Sequence, residues 1–430
     1  MASTKKEYLL KLFAEVARLI LGVTFTFSGF VKSVDPYGTA YKVVDYLEAF
    51  NLSFFSFLGM PISFFLCGFE FVLGVLILLG IYCKWSSLLV LLTMCFMTPL
   101  TLYLAIANPV SDCGCFGDAL VFTNWETFYK NIVLLSCAIF LVFYYRLITP
   151  LFSKKVRACA LLYIILFGGM FLLYNYYYDP ILDFRPYRIG ANLPEQMVVD
   201  ESKMPVEENV FIYKKNGEEK QFTEDNYPWQ DSTWVFVSMR TNVIKEGELP
   251  VISDFTVGEL VFNENLTEID DQHDITDDVL QNTNYSFLII APSLVDINPE
   301  QEAKFKTVTE YSEKNGYDIY CLTSSSTDLI IESKKKYPCN LKFCISDEKV
   351  LKTIIRSNPG LVVLKAGTVV SKWAAPSISD ANYFAGSLDL LTSKADDRSN
   401  TSKALPAILI LVIPLLILKG LDMAKYGKRR

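Results

Sequence analysis

Six apolar segments, each close to the length of a membrane-crossing helix, constrain this chain more than any other feature. Crossing the hydrocarbon of a bilayer takes about 20 mainly apolar helical residues. The segments are 12–30, 62–82, 86–107, 126–146, 157–177 and 404–421. Between the fifth and the sixth lies the long, more polar stretch 179–403. With 51% hydrophobic and 20% charged residues, the chain is too apolar for a purely soluble protein and too charged for a bare membrane bundle. The expectation is a mixed architecture. The net charge of −7 conceals an asymmetry, because most acids lie between Asp179 and Asp397. An acidic soluble region argues against nucleic acid as a partner.

The basic residues predict an orientation. Lys and Arg accumulate on the cytoplasmic side of spans. Lys5, Lys6 and Lys11 precede the first span, and Lys84 lies between the second and third. Arg146, Lys154, Lys155 and Arg157 lie between the fourth and fifth, and Lys419, Lys425, Lys428, Arg429 and Arg430 close the chain. One topology satisfies all four clusters, with both termini inside and 179–403 outside. The first segment has the basic flank of a signal peptide, but no small-residue cleavage site follows and Arg18 interrupts it. A retained span is expected. The implied location is a bacterial inner membrane, with the lipid bilayer as one partner and the soluble part in the periplasm.

Within the outer stretch, 181–251 reads as strand-rich, with a hairpin at 211–222 turning on Asn216-Gly217. From Ile252 strands alternate with helices. Strands are predicted at 287–290, 318–323 and 341–345, and helices at 300–315, 327–336 and 348–357, the first ending at Gly316. A hairpin of 361–365 and 369–373 follows across Ala366-Gly367. This order predicts an α/β domain with one sheet. The expected divisions are a membrane domain over 1–150, a fifth helix within 151–180, the strand-rich segment 181–251, an α/β domain over 252–391, and a linker, sixth span and basic tail over 392–430.

The chemistry-bearing motif is Asp112-Cys113-Gly114-Cys115-Phe116-Gly117-Asp118, in a short loop between the third and fourth spans. Two thiols one residue apart can close into a small ring, since Gly114 tolerates backbone angles that other residues avoid. A strained, exposed disulfide is more oxidising than a relaxed one. Cys113 and Cys115 are therefore candidate redox residues, and a fixed structural bridge or two inert buried thiols are the alternatives. Asp112 and Asp118 should raise a thiol pKa and oppose activation. They also complete a set of two thiols and two carboxylates. Zinc sites usually draw on four Cys or His ligands, and the only histidine, His273, is remote in sequence, so no metal is expected. His273 reads as a solvated loop residue.

Arg18 and Glu70 lie inside predicted spans. A charge in lipid costs at least about 2.5–3.5 kcal/mol at mid-membrane, so each should face the bundle interior. They could pair, fix helix packing, or support a proton path or a quinone-like carrier. Cys321, Cys339 and Cys344 lie in the outer domain, where one disulfide with one thiol left over is expected. Cys67, Cys83, Cys95, Cys137 and Cys159 read as small packing residues of the spans. Trp229 and Trp234 are expected to pack the strand-rich region.

Two resemblances bear on these readings. Arg18-Leu-Ile-Leu-Gly22, Ser28-Gly29-Phe-Val-Lys32, Asp35-Pro36-Tyr-Gly38 and Glu70-Phe-Val-Leu-Gly74 resemble the DoxX family, and Cys113-Gly-Cys-Phe-Gly117 ahead of a Trp resembles its MauE branch. The resemblance covers the first third of the chain. It implies a four-helix membrane module linked to quinone-coupled sulfur chemistry or to disulfide maturation of periplasmic partners. The segment 254–373 resembles thioredoxin-like domains of the thiol-peroxidase and membrane-tethered (TlpA) type. Asn358-Pro359-Gly360-Leu-Val-Val-Leu-Lys365 matches the place where a proline leads into the last hairpin. After the first core strand that family carries Cys-x-x-Cys, whereas this chain has Ala291-Pro-Ser-Leu-Val-Asp-Ile-Asn298.

The expected fold is thus an α-helical membrane bundle, a four-helix DoxX/MauE-like core plus two further spans, carrying an α/β thioredoxin-like domain without its dithiol. The expected function is membrane-linked thiol–disulfide exchange, or maturation of exported proteins through a periplasmic client or partner. A membrane-anchored, non-catalytic scaffold is the alternative. A solute transporter is disfavoured, since no span shows the paired Gly/Pro interruptions of a broken helix.

Overall fold

A computed structural model describes residues 2–110, 112–215, 217–224, 226–229, 231–245, 247, 249–336, 341–378 and 400–426. The N-terminal part is a bundle of α1 (Ala2–Val34), α3 (Gly59–Leu79), α4 (Cys83–Ala107) and α5 (Asn124–Tyr144), with a short helix α2 (Pro36–Ala49) between the first two. Helix α6 (Arg157–Tyr177) and a C-terminal helix α12 (Asn400–Tyr426) pack beside it.

Glycines bring α1 and α3 into close contact. A Cβ built on Gly29 would fall 2.2 Å from the backbone nitrogen of Phe71, and one on Gly74 would fall 2.2 Å from that of Thr26. Small residues at such crossings let helix backbones approach closely in a membrane. Helices α4 and α5 meet through Val90, Met94, Leu134, Ala138 and Leu141. Phe65, Phe96, Phe143, Leu166 and Ile410 point outward and are exposed, as residues facing lipid would be.

Among the described residues, five helical segments are long and apolar enough to cross a membrane: Ser53–Leu79, Cys83–Ala107, Asn124–Leu147, Arg157–Tyr177 and Leu405–Lys425. The expected first span is not among these five. Helix α1 carries Glu15, Arg18 and Lys32 along with Ser and Thr residues, which lower its apolar character, yet it packs lengthwise against α3 and α5 as a bundle member.

After α6 the chain passes through a short α7 (Leu193–Met197) into β1 (Val206–Lys215), β2 (Glu218–Phe222) and β3 (Val235–Lys245). These form a three-stranded antiparallel sheet, order β2-β1-β3. The expected hairpin is present. Asn216 of its turn lies outside the described residues, and Gly217 adopts φ +94°.

The C-terminal domain holds β4 (Gly258–Phe262), β5 (Ile269–Asp274), α8 (Thr276–Gln281), β6 (Tyr285–Ile290), α9 (Pro299–Asn315), β7 (Asp318–Thr323), α10 (Thr327–Lys336), β8 (Lys342–Ile345), α11 (Glu348–Ile354), β9 (Gly360–Lys365) and β10 (Thr368–Ala374). Its seven strands run β10-β9-β6-β7-β8-β4-β5, with β6, β7 and β8 parallel and every other pair antiparallel. Alternate residues serve the two faces. Leu288, Ile290, Leu322, Cys344 and Val362 pack against α8 and α11. Phe287, Ile289, Cys321, Phe343 and Val363 pack against α9 and α10. Cys321 and Cys344 therefore lie on opposite faces and do not pair with each other, which removes one of the pairings that the sequence left open. Cys339 lies outside the described residues. The β4–β5 hairpin was not expected: β5 reads Ile-Asp-Asp-Gln-His-Asp, and an exposed edge strand carries no apolar alternation.

Candidate functional site

The Cys113-Gly114-Cys115 loop sits against the C-terminal part of α1 and against α2. Gly114 adopts φ +62°, the left-handed region that a side chain disfavours, and this turn brings the Cys113 and Cys115 Sγ atoms to 3.1 Å. One thiol hydrogen-bonds the other. The loop backbone is held from two sides. From α2, Tyr46 Oη donates to the Cys113 carbonyl at 2.9 Å, and Lys42 Nζ pairs with Asp112 at 2.7 Å. From α1, Ser28 Oγ lies 2.7 Å from the Cys115 carbonyl oxygen.

Ser28 Oγ also lies 2.7 Å from Glu70 Oε2, and its single proton can serve only one of these two acceptors at a time. Lys32 Nζ, one turn further along α1, donates to both Glu70 oxygens at 2.7 and 2.8 Å. The Lys32 and Glu70 side chains are only 9% and 11% exposed. An ion pair this buried persists because each charge satisfies the other. It forms where Gly29 and Gly74 let the two helices touch.

Residues 10–144, which hold this bundle and the Cys-Gly-Cys loop, match the family model of the Methylamine utilisation protein MauE. The bundle of this chain is thus similar to MauE, and helices long and apolar enough to cross a membrane accompany it. Residues 207–246, the three-stranded sheet, match a Domain of unknown function (DUF8463). No curated protein and no solved structure matches the chain.

In the MauE-like bundle the two thiols differ. The hydrogen bond from Cys113 favours the Cys115 thiolate and, with the positive charges of Lys130 and Lys32, pushes Cys115 down to about 6 against its burial. That same bond, then burial, pushes Cys113 up. The two flanking aspartates do not dominate, contrary to the sequence expectation. Asp112 is taken up by Lys42 and by the Gly114 N–H, and Asp118 lies 3.9 Å from Arg356. Lys130, from α5, stands 4.3 Å from the centroid of the Phe116 ring.

Of the sequence candidates, the fold brings Cys113, Cys115 and Glu70 together and leaves Arg18 apart. Arg18 pairs with Glu15 at 2.6 Å and donates to the carbonyl of Leu78, near the opposite end of α3. Glu70 takes Lys32 as its partner. Lys32, Lys130 and Ser28 were missed as site residues. The signal for the first was present, because Ser28 and Lys32 are four apart and share a helix face.

A cavity of about 40 Å³ lies behind Cys115, lined by Ser28, Lys32, Glu70, Lys130 and Asn131. Its walls are mostly apolar, with Phe25, Met94, Met97 and Leu134 beside these polar groups.

Proposed function

We propose that this protein exchanges disulfides at Cys113 and Cys115 in the maturation of exported proteins. The observation that carries the reading is the 3.1 Å contact between the two Sγ atoms, with Lys130 and Lys32 placed to favour the Cys115 thiolate. The thiolate is the attacking form in such chemistry, and nearby cations favour it. Cys115 attacks one sulfur of a client disulfide, forms a mixed disulfide and releases the other client sulfur as a thiolate. Cys113 then gives up its proton and attacks Cys115. The Cys113–Cys115 ring closes and the second client sulfur leaves reduced. The reverse sequence oxidises a client dithiol. Glu70 acts by anchoring Lys32 beside the pair.

In this reading both termini are cytoplasmic, and the loop and the C-terminal domain face the periplasm of a bacterial inner membrane. The C-terminal domain is thioredoxin-like and binds rather than reacts. Support comes from its central parallel strands, its closing β9–β10 hairpin and the position of Pro359 ahead of β9. Where a dithiol would stand, Ser293 exchanges hydrogen bonds with Asn358 instead.

The test replaces each cysteine by serine in the full-length protein and follows abundance, thermal stability and trapped mixed disulfides. Normal abundance is expected for both variants, with loss of exchange. Cys113→Ser should accumulate a Cys115–client adduct because the resolving thiol is gone. A double Ser variant that retains full function would replace exchange by the scaffold reading.

A further inference from the structure

The C-terminal domain reaches the bundle through α11 and the turn that follows it. Arg356 Nε lies 3.0 Å from both Asp35 carboxylate oxygens, and its Nη2 lies 2.6 Å from Oδ2. The Arg356 side chain is only 7% exposed. Asp35 is no passive acceptor, because the same carboxylate caps α2 by accepting the Gly38 N–H at 2.9 Å. Further along α2, the ring of Tyr41 lies 5.1 Å from Lys352 Nζ and 5.4 Å from Arg356 Cζ, within cation–π range of both.

The same helix covers the thiol loop. Beyond the Lys42–Asp112 pair and the Tyr46 bond to Cys113, the Lys42 stem lies over Gly114, where an added Cβ would fall 3.1 Å from Lys42 Cγ. Cys113 is buried beneath this cover. A cavity of about 370 Å³ separates α2, the loop and α11, and it is lined by Asp112, Gly114, Asp118, Lys352 and Arg356. Neither thiol lines it. A macromolecular disulfide that enters this space meets the Gly114 backbone and Lys42, and it gains the Cys113 Sγ when α2 shifts.

Resting on the exchange reading above, we propose that Arg356 is a positioning residue: through Asp35 it holds α2 as a cover over Cys113, so that docking of the C-terminal domain sets a client's access to the resolving thiol of the pair. This gives a domain without a dithiol a direct role in the chemistry. A bidentate, largely buried arginine–carboxylate contact is strong enough to bias such a two-position element.

The test uses the full-length protein, reduced and in membrane vesicles. Labelling rates at Cys113 and Cys115 are read by peptide mass spectrometry, with small N-ethylmaleimide and with a bulky polymer-linked maleimide. Arg356→Ala should raise the bulky reagent's rate about tenfold, which corresponds to roughly 1.4 kcal/mol lost from the covered state. The small reagent's rate should change far less. Arg356→Lys should restore part of the protection. Lys42→Gln leaves the C-terminal domain untouched and removes the ion pair that ties α2 to the loop, so it should raise the bulky rate as well, and it carries the test if Arg356→Ala does not accumulate. Unchanged bulky-reagent rates in the folded variants would overturn the proposal. So would equal rises for both reagents, which would report altered thiol chemistry rather than an opened cover. Labelling reads access and not exchange, so a failed exchange reading shows itself separately, as absent client adducts beside shifted labelling rates.

Discussion

Cys115 and Cys321 place the same side chain in two regions of one molecule, with opposite consequences. Cys321 stands on β7 among Phe287, Ile289 and Phe343, and burial alone pushes it up to about 12. Cys115 lies in a loop among a second thiol and two lysines and is pushed down to about 6. Burial opposes ionisation in both places. What separates them is whether the fold supplies a donor and positive charge to the sulfur, so reactivity here is a property of the neighbours and not of the cysteine.

The most direct way to break this comparison is to titrate the two thiols with a small alkylating reagent. The attacking form is the thiolate, so each rate rises with pH through that group's pKa. Cys115 should react at half its maximal rate near pH 6, be near its plateau at pH 7 and lose reactivity below pH 6. Cys321 should stay silent throughout that range. The thiolate populations at pH 7 differ by about 10⁵-fold on these values. Equal labelling of the two at pH 7 in the folded protein would erase the distinction.

A second, smaller effect sharpens the cause. Lys130→Met removes one cation near Cys115 and should move the Cys115 half-point upward by about one pH unit. The change leaves Cys321 as it was. Lys32→Met is the poorer probe, because it strips Glu70 of its partner. Breaking a buried pair from one side costs about 3–5 kcal/mol and would obscure the titration. A Lys130→Met half-point that stays near pH 6 would assign the low value to the Cys113 hydrogen bond alone.

The two regions also differed in how far their sequences could be read. In the C-terminal domain the apolar alternation of β6, β7 and β9, the Gly316 stop of α9 and the Ala366-Gly367 turn are local signals. Each element formed where its own residues pointed. Strand β5 escaped because its acids and amides face solvent. In the helical part, five of the six apolar stretches and the Cys-Gly-Cys loop were legible, and Glu70 could be marked as a charge needing a partner. The partner itself was not legible. Whether Glu70 meets Arg18 or Lys32 depends on where Gly29 and Gly74 let α1 cross α3. Arg356 and Asp35 are 321 residues apart, and only the docking of two domains joins them. Local rules found the elements and the motif, while the charges that tune the motif come from tertiary crossings.

The smallest expected effect tests the inert half of the comparison. Cys321→Ala removes one sulfur from a packed apolar face, where cysteine behaves as a small hydrophobe. The loss of that burial and the small void left behind should cost about 1 kcal/mol. In a domain of this size that lowers the melting temperature by roughly 2–4 °C. Alkylation at Cys115 and any client adduct should be unchanged, because β7 contributes no group to the loop. The melting shift is read by scanning calorimetry and the adduct by non-reducing electrophoresis of the same sample. A loss of adduct without a melting shift would place Cys321 in the exchange pathway, and burial would then have failed as the criterion that separates the two thiols.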